Sequence, residues 1–152
     1  MVISPLVALM KDQCDVLRRM GIRAEAWVGN QGDRILDNVR FGKVSFLYMS
    51  PERIQDPMFL ARKEFWDVQT VVVDEAQMFA PAAAGEMAED TRRMTLSAMT
   101  NLMCRGRKRG LAGVVATQRL AKLAKNVAAE ASNFLMGRTF LDIDMIRAAD
   151  LL

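Results

Sequence analysis

The 152-residue sequence contains no histidine, and its only cysteines are Cys14 and Cys104. Without histidine, nucleophile triads that use a histidine base are excluded, and a protein zinc site is disfavoured. The two cysteines show no metal-ligand spacing, which favours two reduced, mostly packed thiols in a cytoplasmic protein.

Long apolar runs are also missing. No stretch approaches the roughly 20 residues that cross a bilayer, and no secretory signal is visible, so we expect a cytoplasmic protein without a membrane partner. The length predicts a single domain over residues 1–152. An apolar share of 51% and a charged share of 26% fit a globular protein, whereas a net charge of +3 is too small to indicate nucleic acid by itself.

Apolar runs alternate along the chain with helical patterns. Several of the apolar runs have no alternating polar face, which indicates a parallel sheet covered on both sides. We therefore predict an α/β three-layer sandwich with a mostly parallel sheet of five to six strands. The predicted strands are 1–4, 24–28, 43–50, 69–76, 111–118 and 133–139, and the predicted helices are 6–20, 33–41, 58–66, 86–105, 119–131 and 142–152.

The stretch "TVVVDEAQ" at residues 70–77 places two carboxylates, Asp74 and Glu75, at the end of the most apolar strand. Ligands of open parallel sheets bind at the carboxyl ends of the strands. An acid there can hold Mg²⁺, and its neighbour can orient or deprotonate an attacking water. Gln118 ends a second predicted strand, where it can contact a γ-phosphate or position water. The alternative for all three residues is a polar strand end that is simply solvated.

The sequence "RGRKR" gathers four cations, Arg105, Arg107, Lys108 and Arg109, within five residues. Such a cluster suits phosphate groups. It is equally typical of a solvated face or of a helix C-terminus, where cations complement the helix dipole.

Residues 1 to about 75 resemble the first motor domain of RecQ-type DNA helicases. The resemblance rests on "VISPLVALMKDQCDVLRRMGI", "FLYMSPERI" and "VVVDEA", in the order of that family. It implies that the "SPL" and "SPER" segments lie near a DNA path. The family continues with histidine after "DEA", whereas this chain has Gln77.

Residues 70–152 resemble a second family, the HerA/FtsK-like DNA-translocating ATPases, through "VVVDEAQMFAP", "RGRKRGLAGVVATQRLAKLAKNV" and "NFLMGRTFLDID". The resemblance implies a Walker B pair at Asp74 and Glu75, with Mg²⁺ on Asp74, and a sensor at Gln118. It also implies a basic residue, Arg105, Arg107 or Arg109, that reaches the nucleotide of a neighbouring subunit. Together the two resemblances predict a fusion, natural or engineered, joined near residues 66–76.

A phosphate-binding loop of the form G-x-x-x-x-G-K-[ST], which both families use to hold ATP, is missing from the 152 residues. The nearest candidate, Gly42–Lys43, has Asp37 in place of the first glycine and Val44 in place of Ser or Thr, and it leads into a strand. We therefore predict that the isolated chain binds no ATP or Mg²⁺ of consequence and has negligible ATPase activity.

Three functional interpretations remain open at this point. The first is a catalytically incomplete NTPase-like domain, and the second is an ATP-dependent DNA motor subunit completed by a partner or an upstream segment. The third is a DNA-binding module that contacts phosphates through Lys11, Arg53 and Lys108 without reading sequence. Loss of the phosphate-loop strand also predicts a rearranged strand order and a homodimer through an exposed sheet edge.

Overall fold

A computed structural model describes residues 1–83, 88–138 and 141–151. The chain divides into two compact units, Met1–Asp74 and Glu75–Leu152. The described residues form five strands and six α-helices, which confirms the α/β class with a parallel sheet. The organisation as one domain stays a prediction.

The first unit is an alternation of strands and helices around a parallel sheet. Its strands lie in the order β2-β3-β1-β4, and β1 pairs in parallel with both β3 and β4. Short 3-10 turns at Pro51–Gln55 and Lys63–Phe65 flank the third helix. The elements are β1 (Val2–Ile3), α1 (Val7–Arg19), β2 (Ala24–Trp27), α2 (Gly32–Arg40), β3 (Phe46–Met49), α3 (Pro57–Arg62) and β4 (Thr70–Val73).

Strand register sets the position of the polar residues that follow the strands. Ile3 lies opposite both Met49 and Val73, so β1, β3 and β4 end at the same level. The ladder continues one residue further, because the backbone N–H of Ser4 donates to Met49 O at 3.1 Å and that of Asp74 donates to Ile3 O at 2.9 Å. Ser4 and Asp74 therefore meet at the carboxyl ends of the strands, an edge called the carboxyl edge below.

Helix α1 is held on the sheet by a small apolar cluster. Met10 and Cys14, one helical turn apart, are buried against Val2, Ala24 and Tyr48. Their spacing of four residues places both side chains on the same face of the helix. Gly21, with φ +78°, ends the segment in the left-handed conformation that glycine adopts at low cost, as the sequence predicts.

Burial gives the two cysteines different reactivity. Burial raises the pKa of the Cys14 thiol to about 11, whereas Cys104 is exposed. We expect iodoacetamide to alkylate Cys104 in the folded chain and Cys14 only after unfolding, as read by peptide mass spectrometry. The unfolded chain releases the Cys14 proton near pH 9, so this thiol's contribution to stability is complete below pH 9 and is lost as pH rises through about 11. Equal labelling of both cysteines in the folded protein would contradict the assignment.

The second unit begins with a 3-10 turn at Ala76–Met78, and its described residues contain one strand. A 3-10 turn at Gly106–Arg109 joins its long helix to that strand, and another at Leu120–Lys122 follows it. Within the described part of the chain, no helix is both long and apolar enough to cross a membrane. The elements are α4 (Glu89–Arg105), β5 (Ala112–Val115), α5 (Lys125–Ala129) and α6 (Asp142–Ala149).

Two predicted elements of the second unit are wrong. Residues 119–131 do not form one helix, because Leu123 pairs with Pro81 in an antiparallel bridge and the N–H of Ala124 donates to Ala80 O at 2.8 Å. This backbone pairing leaves only α5 from the predicted helix. The described residues 133–138 form no strand, and Leu135 is 99% exposed, so no burial supports an extended segment there. Residues 84–87 of the predicted loop and helix start, Thr139 of the predicted strand, and Leu152 lie outside the described residues.

Candidate functional site

Asp74 is oriented by a buried hydroxyl of the adjacent strand. The Oγ of Ser4 donates to Asp74 Oδ2 at 3.0 Å, and Ser4 is 1% exposed. The backbone N–H of Leu6 donates to the same Oγ at 3.4 Å, which fixes the hydroxyl at the carboxyl edge. Asp74 was predicted from the sequence, whereas Ser4 was not. The available signal was that each follows an apolar strand directly.

Tyr48, on the neighbouring strand β3, is a titratable group on which the charge of Asp74 acts. Burial, followed by the charges of Cys14 and Asp74, raises the pKa of its phenol. The phenol therefore stays neutral at physiological pH.

The donor set fits a hard cation that keeps most of its own ligands. Residues 1–83, 88–138 and 141–151 contain no group of three or more His, Cys, Asp or Glu side chains that could hold a metal ion. Asp74 offers one carboxylate beside the Ser4 hydroxyl. Mg²⁺ is commonly held by one or two carboxylates together with water and substrate phosphates, so this arrangement suits Mg²⁺ in the presence of a nucleotide.

Glu75 adopts a strained backbone conformation at the start of the second unit. Its φ of 51° and ψ of 44° are left-handed, and it is the one non-glycine residue with positive φ in the described part of the chain. This conformation costs a residue with a Cβ roughly 1–2 kcal/mol. Such strain is concentrated at functional sites, where it fixes a side chain in a required position.

Within the second unit, a series of side-chain hydrogen bonds runs from Glu75 to Thr117, which follows β5. The Gln77 amide nitrogen donates to Glu75 Oε2, and the Thr117 hydroxyl donates to Gln77 Oε1. The backbone N–H of Ala76 also donates to Ala116 O at 2.9 Å. The orientation of the Glu75 carboxylate is therefore coupled to the residues that follow β5. The sequence pattern predicted a role neither for Gln77, which differs from the histidine of RecQ-type helicases, nor for Thr117.

Gln118 follows Thr117 directly but takes no part in these side-chain hydrogen bonds. Its side chain is exposed, whereas Thr117 is half-buried and accepts a 3.0 Å hydrogen bond from the N–H of Arg119. The structure therefore leaves the Gln118 amide at the surface, where a ligand can reach it. Its role as a sensor stays a prediction.

The four cations of residues 105–109, called the basic turn below, lie on the end of α4 and the following 3-10 turn. All four side chains are exposed, and none forms an ion pair with another described residue. The turn itself is well packed, because a Cβ at the buried Gly106 would lie 3.1 Å from Leu111 O. Gly110, with φ +73°, ends it. The basic turn is therefore a fixed backbone that presents solvated cations: Arg105, Arg107, Lys108 and Arg109.

Lys11 and Arg53, both predicted to contact DNA, have different surroundings. Lys11 is exposed on α1. The Arg53 guanidinium donates to Asp56 Oδ2 at 2.9 Å and to Gly29 O at 2.8 Å, and it stacks 4.7 Å from the centre of the Trp27 ring. Arg53 therefore ties the loop after β2 to the 3-10 turn after β3, and Lys11 is the more available cation.

The family of the chain follows from comparison with known proteins. The model of the DEAD/DEAH box helicase family matches residues 1–125. The chain belongs to the DEAD/DEAH box helicase family. The match includes Ser4, Asp74, Glu75 and Gln118, and it extends beyond the junction predicted near residues 66–76.

Curated relatives refine this assignment for half of the chain. The ATP-dependent DNA helicase RecQ of Bacillus subtilis is 37% identical over 79 residues, which are 49% of this chain and 13% of that helicase. RecQ of Haemophilus influenzae is 34% identical over 80 residues, 50% of this chain and 13% of the relative. The probable ATP-dependent DNA helicase RecS of Bacillus subtilis is 31% identical over 81 residues and is covered to 16%. The resemblance to RecQ helicases is confirmed, and the chain spans only a small part of these relatives.

A solved structure shares the fold of this helicase-family chain. The genome packaging NTPase B204 from Sulfolobus turreted icosahedral virus 2, in complex with AMPPCP, superposes with a TM-score of 0.51 at 13% identity. The alignment covers 99% of this chain and 79% of the viral protein. The likeness shows a shared α/β fold.

Proposed function

We propose that Asp74 and Glu75 form the metal- and water-side half of an NTP hydrolysis site in a DNA helicase or translocase type of NTPase. The observation that carries the proposal is the buried Ser4 hydroxyl that orients Asp74 at the carboxyl edge of a parallel sheet. Membership of the DEAD/DEAH box helicase family supports it. The pair is then a Walker B element.

Each residue has a separate role in this proposal. Asp74 binds Mg²⁺, directly or through water, and the ion neutralises charge on the phosphates when nucleotide is bound. Glu75 orients the attacking water or accepts its proton, and the hydrogen bond from Gln77 fixes its carboxylate. Gln118, exposed after β5, contacts the γ-phosphate.

The 152 residues include no G-x-x-x-x-G-K-[ST] motif, so the proposed site has no phosphate grip of its own. Catalysis of phosphoryl transfer is mainly positioning and electrostatic stabilisation, and both need the phosphates held in place. The 152-residue polypeptide by itself is therefore catalytically inactive. A phosphate loop from another segment or chain would complete an ATP-dependent motor.

Calorimetric titration with ATP and Mg²⁺, combined with a phosphate-release assay, tests this proposal. For the 152-residue chain we expect no phosphate release above buffer and no change on Glu75→Gln. Magnesium-dependent release that Glu75→Gln abolishes would show that the chain holds the phosphates by itself, and the proposed inactivity would then be wrong.

We also propose that residues 70–152 derive from HerA/FtsK-like ATPases and were joined to the RecQ-like segment. The sequence "VVVDEAQMFAP" and the fold shared with a viral packaging NTPase support this origin. In such an assembly Arg105, Arg107 or Arg109 would reach the nucleotide of a neighbouring subunit. Their exposure without ion pairs among the described residues leaves them available. Loss of turnover on Arg107→Ala in an oligomeric, loop-completed protein is the measurement that tests it.

Contact with the DNA backbone is a second proposed function, which the basic turn favours. Lys11 and Lys108 are exposed cations suited to phosphates, and the curated relatives are DNA helicases. Binding through phosphates alone is indifferent to sequence and weakens steeply with salt. Filter binding of unrelated DNA sequences at two salt concentrations tests it, and salt-independent binding would count against it.

A homodimer through β2 is the remaining proposed partner. In the described part of the first unit, β2 pairs with β3 on one side and forms the sheet edge on the other. Unpaired strand edges invite association with another chain. A monomeric mass by analytical ultracentrifugation at high protein concentration would contradict this dimer.

A further inference from the structure

The amino ends of the first unit's strands carry a second group of exposed functional side chains. Because β2, β3 and β4 run in one direction, the residues that precede them lie at the edge of the sheet opposite Asp74. This amino edge has no part in the proposed nucleotide chemistry.

Two exposed aromatic rings flank one arginine at the amino edge. The Arg40 guanidinium carbon lies 4.8 Å from the Phe65 ring centre and 5.9 Å from the Phe41 ring centre. Phe65 and Phe41 are 61% and 67% exposed. Large rings are normally buried, since each removes much apolar area from water. These two rings therefore contribute little to folding, and each leaves the face that is not covered by Arg40 open to a ligand.

Unpaired cations extend this surface toward β2. Arg23 and Lys43 line a cavity of about 310 Å³ together with Arg18 and Glu25. Arg18 and Glu25 pair with each other at 2.9 Å, so Arg23 and Lys43 keep free charges among the described residues. The N–H of Phe46 donates to Arg23 O at 3.1 Å, which fixes Arg23 beside the start of β3.

The surface is positive on balance. Beside the rings, Glu64 and Asp67 are exposed carboxylates. They are outnumbered by exposed cations that form no ion pair within the described residues: Arg23, Arg40, Lys43 and Lys63. Cations interleaved with open aromatic faces match a polyanion that also carries planar rings.

We propose that the amino edge binds single-stranded nucleic acid, with phosphates at Arg23 and Lys43 and unstacked bases on Phe41 and Phe65. Stacking on aromatic rings beside a positive groove is the usual mode for single strands. Duplex DNA keeps its bases stacked and cannot use the rings, so it binds more weakly here. The site does not depend on the nucleotide chemistry proposed for the carboxyl edge.

Fluorescence anisotropy of a labelled oligothymidylate with the 152-residue chain tests the proposal. At about 50 mM salt, Phe41→Leu and Phe65→Leu, which keep apolar bulk but remove the ring, are each expected to weaken binding at least about fivefold. Lys43→Ala is expected to reduce the dependence of log K on log salt by about 0.7.

Matched controls separate this site from general surface effects. Leu60→Ala and Arg34→Ala change an exposed apolar residue and an exposed cation outside the amino edge and are expected to leave affinity unchanged. Circular dichroism and thermal melting confirm that each variant folds.

Several outcomes would overturn the proposal. The first three are that the unaltered chain does not bind the oligothymidylate, that Phe65→Leu binds it as tightly as the unaltered chain does, and that the chain prefers a hairpin duplex. The fourth is that polyglutamate competes as well as unlabelled oligothymidylate does, which would indicate an acidic protein partner. Loss of binding on Arg107→Ala with Lys108→Ala, but not on Phe65→Leu, would assign the nucleic acid to the basic turn instead. None of these outcomes bears on whether the carboxyl edge supports NTP hydrolysis.

Discussion

Fusion of a strand, a G-x-x-x-x-G-K-[ST] loop and a following helix ahead of Met1 is expected to give magnesium-dependent ATP hydrolysis, which we do not expect of the 152-residue chain alone. Glu75→Gln in the fusion is expected to lower turnover by about 10²-fold or more, since a positioned general base contributes about 10²–10⁴. Asp74→Ala is expected to abolish turnover, because it removes the proposed magnesium ligand. A coupled phosphate-release assay measures all three.

The physical reason for this large effect is that the two halves of the site act only together. A phosphate loop supplies main-chain donors and a lysine for the phosphates, whereas in the proposed site Asp74 would supply the metal ligand and Glu75 the group that orients water. Ser4 already fixes Asp74 in the chain as it stands. We therefore expect that adding a phosphate-binding loop needs no rearrangement of Ser4 and Asp74.

Glu64→Gln is a matched control, since Glu64 is an exposed carboxylate with no proposed role in hydrolysis. It should leave the turnover of the fusion unchanged. Replacement of the loop lysine by alanine should abolish turnover and so show that the added segment is engaged. A folded, active fusion whose rate is unaffected by Glu75→Gln would remove Glu75 from the mechanism.

Trp27→Ala is expected to destabilise the chain by about 3–5 kcal/mol. Trp27 is 0% exposed, and Arg53 stacks on its ring. Truncation leaves a cavity and frees a guanidinium that ties two loops together. The midpoint of urea denaturation, followed by far-ultraviolet circular dichroism, measures the loss.

Trp27→Phe is the control for this prediction. The indole Nε1 is buried and has no hydrogen-bond partner among the described residues, so phenylalanine removes an unsatisfied donor while it keeps a ring. We expect Trp27→Phe to cost less than half as much as Trp27→Ala. Gly32→Ala should also destabilise, because its Cβ would lie 2.8 Å from both Trp27 Nε1 and Met58 Cε. A loss below about 1 kcal/mol for Trp27→Ala would contradict the packing argument.

Local pattern was sufficient to predict the strands of the first unit, and it placed Asp74 at a strand end. The partnership of Asp74 with Ser4 needs strand order as well, because 70 residues separate them. No periodicity in a single sequence specifies which strands are neighbours, so the pair could not be predicted. The same limit applies to Gln77 and Thr117, which are 40 residues apart.

The second unit shows where local pattern fails. The amphipathic run around Leu123 and Ala124 favours one continuous helix, yet both residues use their backbone to pair with Pro81 and Ala80. Tertiary pairing overrides helix propensity there, since propensity contributes only tenths of a kcal/mol per residue. The exposed Leu135 shows that an apolar run alone does not make a strand.

The left-handed backbone at Glu75 lowers the stability of the folded chain, whereas the proposed hydrolysis needs the Glu75 carboxylate. Selection of random variants for heat tolerance alone should enrich glycine or asparagine at this codon, because both adopt the conformation more cheaply than glutamate. The selected variants would be more stable to heat and would lack the carboxylate. The strained backbone therefore implies that a glutamate at this position is kept for the chemistry of its carboxylate and not for stability.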